Sequence, residues 1–75
     1  MKYEYVIRTY NKSGHNIYAE GAYTRSEADQ KFEDVCKTVR DTIDIYKRRG
    51  KSHYTRVVLI TFGTDDVILE KIYEC

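Results

Sequence analysis

The segment TRSEADQKFEDVCKTVRDTIDIYKRRG, residues 24–50, decides the fold. Thr24 followed three positions later by Glu27 is a capping box, in which the two side chains satisfy backbone N–H groups that a first helical turn leaves free. Ala28, Phe32, Val35, Cys36, Val39, Ile43 and Tyr46 then recur at spacings of three and four, which gathers them on one stripe. The pattern predicts a helix over 25–49. Gly50 stops it by accepting a left-handed conformation, and Lys47, Arg48 and Arg49 set cations at the negative end of the helix dipole. Glu33 with Lys37 and Asp44 with Arg48 are expected i,i+4 ion pairs on the solvent side. Such a helix is roughly 37 Å long against roughly 27 Å for an eight-residue strand, so its last turn or two should overhang a sheet packed against it.

On the N-terminal side, residues 2–10 alternate, with Tyr3, Tyr5, Ile7 and Thr9 on one side and Lys2, Glu4, Val6 and Arg8 on the other. Asn11-Lys12-Ser13-Gly14 suits a type I turn closed by a left-handed residue. Counting outward pairs Thr9 with Ile17, Ile7 with Ala19, Tyr5 with Gly21 and Tyr3 with Tyr23, so that the Tyr5 ring would cover the bare backbone of Gly21. On the C-terminal side, residues 55–62 are β-branched and almost wholly apolar, 63–66 form a turn, and 67–73 make the last strand. With Thr64 and Asp65 at the tip, Val58, Ile60, Phe62, Val67, Leu69 and Tyr73 share the helix-facing side. Lys71 joins them at the rim, where its stem can lie on apolar surface.

Two hairpins around one helix give an α+β fold, ββαββ, with a four-stranded antiparallel sheet in the order 2-1-3-4 and one long helix on one face. Residues 1–75 are read as a single domain. A chain of this length buries only about 60% of its unfolded surface, and extra burial by association would add to a thin core. The other side of the sheet then carries Val57, Leu59, Ile68 and Ile72, joined by Val6 and Tyr18 from the first hairpin. A strand apolar on both faces is normally covered on both, and one helix covers one. About 300–400 Å² of exposed apolar surface would mark an interface, either with a second copy in a homodimer or with another protein. Shielding of that side by long neighbours such as Arg8, Glu70 and Tyr18 is the competing arrangement.

Composition excludes several classes of function. A 33% charged fraction and eight tyrosines belong to a globular chain, and a net charge of +1 gives no bulk attraction to nucleic acid or membrane. No targeting or membrane-spanning stretch stands out, which sets a cytoplasmic expectation. Cys36 on the helical stripe and Cys75 at the end read as a core thiol and a tail thiol rather than as a disulfide. His15 and His53 with either cysteine do not reproduce a zinc spacing, Asp65 and Asp66 fit turn chemistry, and the four scattered glycines make no phosphate loop. Without a nucleophile beside a histidine, the chain reads as non-enzymatic, with no cofactor, no metal and no small-molecule substrate.

One local charge concentration remains: Lys47, Arg48, Arg49, Lys51 and Arg56, with Tyr54 among them, around the overhanging helix end. It could grip the phosphates of a nucleic acid or an acidic partner, with Tyr54 stacking on a base. The sheet face offers no such grip, because Lys2 and Arg8 there stand against Glu4, Glu20, Glu70 and Glu74. The expectation is a protein–protein interaction module, of the kind phages and mobile elements encode as regulators or inhibitors of host machines. A small nucleic-acid-binding protein using the basic helix end is the alternative.

Overall fold

In the computed structural model, which describes residues 3–75, Thr24 adopts an extended conformation and its Oγ1 accepts the Glu27 N–H at 3.1 Å. Glu27 reaches back to accept the Tyr23 N–H at 3.0 Å. These two bonds start α1 (Arg25–Arg48). At its other end Gly50 takes φ 67, the Gly50 N–H bonds Lys47 O at 3.1 Å, and the Lys51 N–H bonds Tyr46 O at 3.0 Å. That pair of bonds is a Schellman closure, which only a residue tolerant of positive φ permits cheaply. The expected stripe is the buried one, with Ala28, Phe32, Cys36 and Ile43 buried and Val35 and Val39 packed beside them. The expected pairs Glu33–Lys37 and Asp44–Arg48 are absent from the ion pairs of the described residues; Arg25–Asp29 and Lys31–Glu27 form instead.

The strands are β1 (Tyr5–Tyr10), β2 (Asn16–Ala22), β3 (Tyr54–Thr61) and β4 (Val67–Glu74), all antiparallel, in the order β2-β1-β3-β4. The fold is therefore ββαββ, with the helix on one face. Lys2, placed on the first strand by its alternation, lies outside the described residues.

The registers differ from simple counting, and the differences decide which side chains face the helix. At the hairpin tip the expected register holds, with Tyr10 opposite Asn16, but a bulge at Ile17 then sets Thr9 opposite Tyr18, Ile7 opposite Glu20 and Tyr5 opposite Ala22. The bulge turns Ala22 under the helix, where no side chain of that strand is better buried, and brings Glu20 within 3.2 Å of Lys31 on α1. Gly21 consequently lies opposite Val6, and the ring that covers it is that of Tyr3 rather than Tyr5: a Cβ built on Gly21 would come within 2.6 Å of three Tyr3 ring atoms. In the second hairpin the loop is longer than expected. Thr61 pairs with Asp66 across it, Gly63 and Asp65 take positive φ, and a second bulge falls at Ile68.

Ile7, Ala22, Val57 and Leu59 meet Ala28, Phe32 and Cys36 in the main core, flanked by Tyr5, Ile68 and Tyr73. Burial pushes the Cys36 thiol up against an opposing hydrogen bond from Tyr73, while Cys75 is exposed. Thiolates react and thiols do not. Iodoacetamide should therefore modify the native protein once, at Cys75, and reach Cys36 only after unfolding; two fast modifications under native conditions would contradict the burial of Cys36.

Candidate partner-binding face

The sheet face away from α1 is built by the residues that alternate with the core. β1 contributes Val6, Arg8 and Tyr10, and β3 contributes Tyr54, Arg56, Val58 and Ile60, paired so that Val6 meets Ile60, Arg8 meets Val58 and Tyr10 meets Arg56. β4 adds Val67, Glu70 and Ile72 opposite Ile60, Val58 and Arg56. Val6, Val58 and Ile60 form a second, smaller buried cluster with Tyr10 packed on it. No helix covers them. Val58 is nonetheless only 1% exposed, because Arg8 and Glu70 flank it across the sheet and Arg56 stands two residues away. Arg56 Nε donates to Glu70 Oε2 at 2.7 Å, and its guanidinium lies 5.6 Å from the centre of the Tyr10 ring. A charge-assisted bond and a cation–π contact thus fold three long side chains down over the valines.

Of the six residues expected on this face, the structure places only Val6 and Ile72 there. Val57 and Leu59 are 0% exposed beneath the helix, and Ile68 packs against that same core. Tyr18, turned over by the Ile17 bulge, lies on the helix side, where its hydroxyl donates to Glu20 at 2.5 Å. That bond, with Lys31 assisting, holds the Glu20 carboxyl below its ordinary value. The shielding role expected for Arg8 and Glu70 is seen; the one expected for Tyr18 is not.

Three residues that counting assigned elsewhere now make the apolar crest of the open face. Phe62 is 49% exposed and Val67 53%, both expected in the core, and Tyr3 lies over Gly21 with its ring 4.9 Å from that of Tyr23. Phe62, Tyr3 and Val6 border one shallow depression at the end of the sheet nearest the start of α1. Ile72, 51% exposed, stands apart toward the other end. The sequence signal for this arrangement was Arg56, which shares the alternation of Val58, Ile60 and Phe62, whereas Thr55, Val57, Leu59 and Thr61 carry no charge.

The basic group divides. Lys47, Arg48, Arg49 and Lys51 are exposed at the end of α1, and none is in an ion pair among the described residues. Arg56 belongs to the open face through Glu70. Tyr54, half-buried, lines a depression of about 340 Å³ with Asn11, Lys12, Ser13, Ser52, His53, Glu74 and Cys75. His53 stacks on Tyr46 at 4.4 Å and shares a 3.0 Å hydrogen bond with Thr55. The sheet face also carries different charges from those expected, since Glu20 is on the helix side and Arg56 has joined Arg8. Among the described residues, no three His, Cys, Asp or Glu side chains are grouped so as to hold a metal ion, and no helix is long and apolar enough to cross a membrane. Comparison of the chain with protein-family models, with curated proteins and with solved structures gives no match.

Proposed function

We propose that this chain is a non-catalytic protein-interaction module, and that its open sheet face docks against a second copy of itself. The observation that supports this reading is the crest formed by Tyr3, Phe62 and Val67, with Ile72 beyond it, on a face that no other element of the described residues covers. The charges of that face do not ask for a foreign counterpart, because Arg56 pairs with Glu70 and the remaining Arg8 is balanced in number by Glu74.

The size also suits a symmetric pair. Four strands about 4.8 Å apart and six to eight residues long give a footprint on the order of 450 Å² before side-chain relief is counted, more than half of the roughly 800 Å² per partner of a standard interface. The four exposed apolar side chains hold roughly 350 Å² per copy, worth roughly 17 kcal/mol gross for two copies. That exceeds the roughly 4–15 kcal/mol cost of association.

Sedimentation at tens of micromolar should give twice the 8.9 kDa chain mass. Phe62→Asp should give the single-chain mass with an unchanged far-ultraviolet circular dichroism spectrum, since Phe62 makes no part of the main core. A wild-type chain that sediments as a monomer would remove the second copy as the occupant of this face.

A further inference from the structure

A net charge of +1 conceals a separation of charge along the 43 Å long axis of the molecule. Among the described residues near the start of α1 and the β3–β4 turn, Glu20, Glu27, Asp29, Asp65 and Asp66 stand against Arg25 and Lys31. At the opposite end, Lys12, Lys47, Arg48, Arg49 and Lys51 stand against Asp44 and Glu74, five cations to two carboxylates, or +3. Compensation of the helix dipole accounts for Lys47 and Arg48, because that effect fades within the last turn. It does not account for Lys51, which follows the helix, or for Lys12, which comes from the tip of the β1–β2 hairpin. Yet Lys12 lines the same 340 Å³ depression as Ser52, His53 and Tyr54, so the hairpin tip and the segment leaving the helix build one surface.

From this juxtaposition we infer that the basic end is a docking surface for single-stranded nucleic acid, at the opposite end of the molecule from the apolar crest of Tyr3, Phe62 and Val67. Lys12 lines the concavity itself, while Lys51 directly precedes Ser52 of its wall and Lys47, Arg48 and Arg49 follow Tyr46, on which the lining residue His53 stacks. A backbone laid across the concavity would meet Lys12 first and the helix-end cations beyond it. Tyr54 in the wall offers a base an aromatic neighbour, and Ser13 and Ser52 offer hydroxyls to sugar or phosphate oxygens. Glu74 also lines the concavity. It disfavours a phosphate at that spot and directs the backbone toward Lys12 and the helix-end cations.

The test is fluorescence anisotropy with a labelled oligothymidylate and the full chain, titrated over a range of salt. If all five cations meet phosphates, the logarithm of the association constant falls with that of salt with a slope of about −3.5, and Lys12→Ala reduces the slope by about 0.7. Arg48→Glu with Arg49→Glu should abolish binding while leaving the circular dichroism spectrum unchanged, both side chains being exposed. Absence of binding at low salt overturns the inference, as does a Lys12→Ala variant indistinguishable from wild type. Attachment to phosphatidylserine vesicles without attachment to the oligonucleotide overturns it too, in favour of a membrane surface. Neither the expected nor the contrary result depends on whether the chain dimerises, because Phe62→Asp leaves all five cations in place.

Discussion

Leu59→Lys is expected to prevent folding. Leu59 lies on a central strand between Ile7 and Leu69, faces α1 and is wholly buried with Phe32 and Cys36 in the main core. A lysine there would hold its ammonium in a dry core without a counter-charge, at an effective cost of several kcal/mol, in addition to the lost packing of the leucine. The whole chain has about 4–11 kcal/mol to lose, at about 0.05–0.15 kcal/mol per residue. Far-ultraviolet circular dichroism should show a disordered chain at 25 °C. The contrast with Phe62→Asp is the informative part: a charge placed three residues further along should leave the fold standing, because the strand has turned that side chain to the other face. A folded Leu59→Lys protein would mean that the helix does not cover β3 as described.

Phe32→Ala should be the most damaging truncation on the helix. Its ring is 2% exposed at the centre of the α1 stripe, between Ala28 and Cys36 along the helix and over Ile7, Val57 and Leu59 of the sheet. Neighbours that small at Ala28 and Ala22 cannot close the space a phenyl ring leaves. Loss of transfer energy together with the residual cavity puts the cost at about 3–5 kcal/mol. Urea denaturation should show the midpoint falling with little change in slope. The same substitution at Tyr23, exposed at the helix entrance, should cost far less, and similar losses at the two sites would contradict a core centred on Phe32.

How much of this could be seen in the residues differs from element to element. Helix α1 was legible to within a residue because three independent signals agreed: the Thr24–Glu27 box, the apolar stripe, and Gly50 behind three cations. The strand order was legible as well, since two hairpins joined by one helix leave few arrangements that keep the most apolar strand in the middle. The faces of β3 were legible only through Arg56 at one end of the strand. Val57, Val58, Leu59 and Ile60 are all buried, two on each side, and alternation carries no information where both faces are dry. Nor were the bulges at Ile17 and Ile68 visible, because nothing local marks them. Each shifts the pairing by one residue, and a shift of one exchanges inside for outside along the rest of the strand. Tyr18 thereby moved to the helix side, and Gly21 found its aromatic cover in Tyr3. The open face was thus expected for a sound reason and populated with the wrong residues, while the cations expected together at the helix end divide, with Lys47, Arg48, Arg49 and Lys51 exposed there and Arg56 on the open face.

The irregular residues at Ile17 and Ile68 have a bearing on solution behaviour. They fall in β2 and β4, the two outermost strands, so each lateral border of the layer is kinked where an incoming backbone would have to lie straight. Lys31 further caps the Gly21 carbonyl on one of those borders at 2.9 Å. Borders disrupted in this way are poor templates for stacking further chains side by side into a ribbon. A concentrated solution of this tyrosine-rich chain is accordingly biased away from fibrils.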